Sequence, residues 1–123
     1  MSDRSDKSFV RVVMVEFYPH ITDMDMHMFK SALEHLAQGA NGLLRMHCGP
    51  ARASGAEAAL SVEAPNVTFV DFASVWEFTS QSSLDQFIDD AFHREMAKKQ
   101  FSKFVKNRYV INIGLESRYS HGV

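Results

Sequence analysis

Residues 69–104 read FVDFASVWEFTSQSSLDQFIDDAFHREMAKKQFSKF, and the change of period within them decides the fold. From Val67 to Phe78 apolar side chains alternate, placing Val70, Phe72, Ser74, Trp76 and Phe78 on one face and Phe69, Asp71, Ala73, Val75 and Glu77 on the other. Period two in a run rich in aromatic and β-branched residues predicts a strand. Ser82 followed by Asp85 suits a helix N-cap, and Leu84, Phe87, Ile88 and Ala91 then recur at helical spacing. The pattern re-phases through Phe92, Met96, Phe101, Phe104 and Val105, which predicts a kink or short break near Asp89–Phe92.

Working outward, Phe9–Phe17 (FVRVVMVEF) is a β-branched, apolar run stopped by Tyr18-Pro19, a first strand. Its faces carry Phe9, Arg11, Val13, Val15 and Phe17 against Val10, Val12, Met14 and Glu16. Thr22 and Asp25 have the spacing of a capping box, with Asp in place of Glu or Gln. Met26, Phe29, Leu33 and Leu36 then repeat as a helix from about Asp23 to Gln38, with Gly39 at its C-terminal end. Leu43–Cys48 reads as a second strand. Residues 51–66 form a long loop with one helical turn across Ala56–Leu60, and such loops are functional or mobile. Arg108–Leu115 is the last strand, with Tyr109, Ile111, Ile113 and Leu115 opposite Val110, Asn112 and Gly114. The order β-α-β-β-α-β is the ferredoxin-like arrangement, an α+β fold with a four-stranded antiparallel sheet. The domain spans residues 9–115, between a disordered lead-in at 1–8 and a C-terminal tail at 116–123.

Composition narrows the function classes. A chain of 123 residues with 46% hydrophobic residues is one globular domain with a core of its own. A net charge of −2 gives no footprint for nucleic acid or an anionic membrane. No apolar run is long enough to span a bilayer, and MSDRSDKS lacks the apolar region of a signal peptide. The single cysteine, Cys48, fits a reducing cytoplasm. His20, Asp23 and His27 lack a metal-ligand spacing, Cys48 has no CxxC partner, and no nucleotide-binding or nucleophile-elbow motif occurs. No metal or cofactor is expected.

Two helices cover one face of a four-stranded sheet, yet the first and third strands are apolar on both faces. An antiparallel sheet open to water would alternate apolar with polar residues. The second face is therefore expected to pack on the same face of another copy, giving a homodimeric barrel across a two-fold axis. The alternative is a monomer whose 51–66 loop folds over that face.

The strand VRVVMVEF with its ITDMDM helix start, the passage FASVWEFTSQSSLDQFIDDAFHREM and the closing strand YVINIG together resemble the stress-responsive α/β-barrel (Dabb) family of dimeric ferredoxin-like barrels. The resemblance covers roughly Phe9 to Leu115. In that family the second helix commonly carries a His-Pro-Ala-His segment; the matching residues here are Asp90-Ala91-Phe92-His93, of which the last histidine is kept. Members that close a linear polyketide by aldol condensation, without metal or cofactor, use a pocket between sheet and helices. Their paired histidines correspond to Arg11 and His93, and the tyrosines of their pocket to Leu33 and Phe87. Many members have no assigned reaction. Three readings follow from the resemblance: a binder of a small, mostly apolar molecule, a cofactor-free acid–base enzyme of cyclase or monooxygenase type, and a non-catalytic stress dimer with a filled core.

The candidate catalytic residues are His93 and Arg11. A guanidinium amid Phe9, Val13, Val15 and Phe17 needs a partner, since an unpaired buried charge is costly. Arg11 is either a clamp for a ligand carboxylate or enolate or half of a structural ion pair with a residue such as Glu95. His93 follows Asp89 by four residues, so a carboxylate could hold its tautomer and make it a general base; otherwise the two are a surface pair. Phe72, Ser74 and Trp76, with Phe87, could line a ligand pocket or simply pack. His47 could reach the pocket mouth or lie at a rim or interface. Tyr109 could offer its hydroxyl to the cavity or to a structural partner.

Overall fold

The computed structural model describes residues 8–51 and 70–116. Most of the expected lead-in, the loop with its helical turn, the start of the third strand at residues 67–69 and most of the tail lie outside the described residues. The elements are β1 (Phe9–Phe17), α1 (Asp23–Gln38), β2 (Leu43–Pro50), β3 (Phe72–Phe78), α2 (Gln81–Asp89), α3 (Ala91–Lys99), a 3-10 turn (Phe101–Lys103) and β4 (Val105–Gly114). The strands form one antiparallel sheet in the order β2-β3-β1-β4. This is the expected ferredoxin-like architecture, with β1 and β3 at its centre.

Local chemistry accounts for most boundaries. The Thr22 hydroxyl accepts the Asp25 N–H at 3.0 Å, and the Asp25 carboxylate accepts the Thr22 N–H at 3.1 Å. The shorter Asp therefore completes the capping box that Glu usually makes. The second helix starts earlier than expected. Its N-cap is Ser80, whose side chain accepts the Ser83 N–H at 3.1 Å, and not Ser82. The link from β3 is short because the Thr79 N–H donates to the Gly42 carbonyl at 2.8 Å, so the chain turns into helix at once. The expected break is present: α2 stops at Asp89, and Asp90 is extended, ending α2 and capping α3. β4 begins three residues before the expected Arg108, because the 3-10 turn delivers the chain directly onto β1.

The inner sheet face and the helices share one core. Val15, Phe17, Phe72, Trp76 and Phe78 meet Phe29, Leu33 and Leu36 of α1 and Leu84 and Phe87 of α2. Phe29 is the hub, set edge-on to Phe17 at 5.1 Å, Phe72 at 5.3 Å and Phe101 at 5.3 Å between ring centroids. Such contacts orient the rings as well as burying them. The outer face is also apolar. Register sets Val12 between Val75 and Ile111, Val10 beside Ile113, and Met14 between Ala73 and Tyr109. Within one chain Val75 is 37%, Ile113 43% and Ile111 51% exposed.

Gly39 ends α1 with an ordinary φ of −95°, whereas Gly42, leading into β2, has φ +79°. A Cβ at Gly42 would also collide with the Ser83 side chain. Gly42→Ala should therefore cost at least ~1–2 kcal/mol, and Gly39→Ala should be close to neutral. Urea midpoints of the two variants give the comparison; equal midpoints would mean that the Gly42 turn tolerates a side chain.

Candidate functional site

A cavity of about 270 Å³ lies between the inner sheet face and the helices, against α1, α3, the 3-10 turn and the start of β4. Six of the eight candidate site residues border it: Arg11, Phe72, Ser74, Trp76, Phe87 and His93. His47 and Tyr109 do not. Each pairs in register with an outer-face residue, His47 with Val75 and Tyr109 with Met14, so the pleat carries both away from the cavity.

Arg11 stands at the middle of β1, flanked in register by Trp76 and Asn112. It is 6% exposed. Its Nη1 donates to Asn112 Oδ1 at 3.2 Å. The acidic partner considered from sequence is absent: Glu95 pairs with Lys99 at 3.1 Å. Among the described residues Arg11 makes no ion pair, so a neutral amide holds one of its five N–H donors. Burial and, secondarily, the charge of Arg108 push its pKa below the ordinary value. The guanidinium still stays protonated at neutral pH, because its ordinary pKa lies so far above 7.

His93 is positioned by the helix break and not by Asp89. Asp89 pairs with Arg94 at 2.8 Å. Asp90 instead caps α3 by accepting the His93 backbone N–H at 3.1 Å. The imidazole turns back over the end of α2, where Nδ1 lies 3.0 Å from the Phe87 carbonyl oxygen. A carbonyl oxygen only accepts, so Nδ1 carries the proton of the neutral ring and Nε2 keeps its lone pair. The ring also stacks on Phe87 with centroids 4.3 Å apart. Burial is the main force lowering the His93 pKa, opposed by the Phe87 hydrogen bond, aided by the charges of Arg11 and Arg108, and opposed again by Asp90. The result is a neutral imidazole with one fixed tautomer, suited to accepting a proton.

Ser74 and Trp76 form a local pair. The indole Nε1–H donates to Ser74 Oγ at 2.8 Å, which leaves the serine hydroxyl hydrogen for another acceptor. Both are almost fully buried.

Other wall residues were not singled out from sequence: Phe29 on α1, Ala97 on α3, Phe101 and Ser102 beyond it, and Val105, Lys106 and Arg108 on β4. Consecutive residues Val105 and Lys106 both border the cavity because a bulge opposite Glu16/Phe17 interrupts the pleat. Arg108 was detectable. It lies two and four residues before Val110 and Asn112, so simple alternation sets it on their face.

No protein-family model matches the sequence, and no curated protein matches it. Solved structures do match. A Dabb family protein with a ferredoxin-like fold from Mesorhizobium loti superposes with a TM-score of 0.70 at 11% identity, over 90% of this chain and 99% of that one. A hydroxynitrile lyase from Passiflora edulis gives 0.75 at 13% identity, over 94% and 99%. A dimeric ferredoxin-like protein of unknown function from Thermobifida fusca gives 0.67 at 14% identity, over 89% and 92%. At these identities the likeness is one of fold. The chain has the ferredoxin-like fold of Dabb proteins, as its strand and helix pattern led one to expect.

Folding lowers the His93 pKa below its ordinary 6.5, so the unfolded chain binds that proton more readily. The contribution to stability is complete above that value and is lost as pH falls from it through the lowered value of the folded state. His93→Gln should therefore reduce the acid-induced drop in stability between about pH 7 and 5. The check is the difference between wild-type and variant urea midpoints across that range; parallel curves would place the imidazole in free contact with water.

Proposed function

We propose that the protein is a homodimeric α/β barrel that binds a small, mostly apolar molecule between sheet and helices, with His93 and Arg11 as the groups able to act on it. The observation that carries this reading is the open cavity bordered by both residues at once. A non-catalytic dimer with a filled core would have packed Phe29, Phe72 and Phe101 across that space. The walls are largely aliphatic and aromatic, and a few polar groups converge on one region, the usual constitution of a small-molecule site.

The chemistry open to such a site is proton transfer without a cofactor. His93 Nε2 is the base, its tautomer held by the Phe87 carbonyl. Arg11 is a fixed positive charge in a low-dielectric wall, placed to stabilise an enolate or oxyanion as it forms. An acid–base enzyme, cyclase-like or monooxygenase-like, is the reading in which both groups work together. The fold is shared with a hydroxynitrile lyase.

The homodimer rests on the outer face. Val10, Val12, Val75, Ile111 and Ile113 form a continuous apolar surface across the central strands, and structural neighbours include dimeric proteins. A second copy of the same face would remove it from water.

Two measurements test the proposal. In sedimentation at micromolar protein the native chain should run at twice 13.9 kDa, and Ile111→Glu should shift it to the monomer; a native monomer would remove the dimer from the reading. Neutral 4-alkylphenols, titrated while the fluorescence of the single tryptophan is followed, should give a saturable change. Ala97→Phe, which extends a ring into the cavity from α3, should weaken that binding at least tenfold. A flat titration, or one indifferent to Ala97→Phe, would refute binding in this cavity.

A further inference from the structure

Taking the cavity to be a ligand site, as proposed above, its polar groups define the chemical class of the ligand. Among the described residues that border it are three cations, Arg11, Lys106 and Arg108, and no carboxylate. Lys106 has Glu16 within 3.9 Å, outside the cavity wall. Among the described residues Arg11 has only the Asn112 amide, and the Arg108 side chain has no ion pair or hydrogen bond. The two arginines lie on the inner face of adjacent strands, since Arg11 pairs with Asn112 and Arg108 with Val15.

The neutral groups point the same way. Ser74 Oγ already accepts the Trp76 indole N–H, so its hydroxyl is left as a donor into the site. Ser102 donates its hydroxyl to the Lys98 carbonyl and so offers no free proton to the cavity. The polar wall is therefore made mainly of donors and positive charge, with His93 Nε2 and the Ser102 oxygen as side-chain acceptors. A neutral ligand would leave the buried Arg11 guanidinium without a counter-charge and with a second arginine on the neighbouring strand, an arrangement that is costly. An anion would satisfy both, with the fork geometry that guanidinium groups offer to carboxylates.

We infer that the ligand is an amphipathic carboxylate, an aromatic or alkyl body seated against Phe29, Leu33, Phe72 and Phe101 with its carboxylate held by Arg11, Arg108 and the Ser74 hydroxyl. His93 borders the same cavity as both arginines, whose charges disfavour its protonated form. A carboxylate bound there offsets their repulsion of the imidazolium, so binding is accompanied by proton uptake at His93. Asp90, the other charged group acting on this histidine, favours the same protonation.

The test compares 4-butylbenzoate with 4-butylbenzamide, equal in shape and different in charge, by titration of the Trp76 fluorescence at neutral pH. The benzoate should bind at least tenfold more tightly. Arg108→Gln, at an exposed strand position, should reduce that preference several-fold, and Arg11→Gln, which keeps a side-chain donor toward Asn112, should abolish it. Calorimetry of benzoate binding in buffers of different ionisation enthalpy should show proton uptake in the wild type and none in His93→Gln. If the amide binds as tightly as the benzoate, the anionic class is wrong while the alkylphenol results still support the cavity. If neither these probes nor the alkylphenols bind, both readings fall together.

Discussion

The central strands are apolar on both faces, and the rest of the structure follows from where each face finds cover. On the inner side the cover comes from within the chain: α1 and α2 lay Phe29, Leu33, Leu36, Leu84 and Phe87 over Phe17, Phe72, Trp76 and Phe78. On the outer side no described element lies over Val75, Ile111 and Ile113, which remain in contact with solvent in the single chain. Hydrophobic burial is non-directional and scales with area, so it can specify that a face is covered without specifying by what. The helices answer that question for one side, and a second copy of the chain is the economical answer for the other.

A covered inner face need not be a solid one. Phe29 anchors the core through edge-on contacts, but beyond it the wall changes character: α3 brings the small Ala97, and β1 and β4 bring arginines where aliphatic residues would close the gap. Protein interiors are ordinarily close-packed, so an opening beside these buried rings is an exception to the rule. A buried guanidinium with only an amide for a partner among the described residues is the costly part of it. Costly polar groups persist where something other than stability holds them in place, and here they gather around a single cavity.

The break at Asp90 gives the site its base. Had α2 and α3 been one continuous helix, Asp89 and His93 would share a face and the imidazole would answer to an exposed carboxylate. The extended Asp90 turns the chain, sends Asp89 to Arg94 and folds the imidazole back onto the Phe87 carbonyl and ring. A carboxylate partner would have stabilised the imidazolium; a carbonyl in a half-buried setting leaves the ring neutral. The difference decides whether His93 is a base or a surface ion-pair partner.

Much of this was legible in the sequence because it depends on short-range periodicity. Alternation in 72–78 and 9–17, the Thr22–Asp25 box, the re-phasing near Asp90 and the two-sided apolar strands each follow from neighbours within one or two turns of chain. Arg11 and His93 were recognisable as candidates by residue type and surroundings. What local pattern could not supply was partnership. Strand register placed Asn112 rather than Glu95 beside Arg11, added Arg108 to the wall, and carried His47 and Tyr109 to the outer face. The helix break, though foreseen, rotated His93 away from Asp89 by an angle that spacing alone does not encode. Periodicity determines which face a side chain takes; only the packed chain decides what stands opposite it, because contacts between strands and helices join residues far apart in sequence.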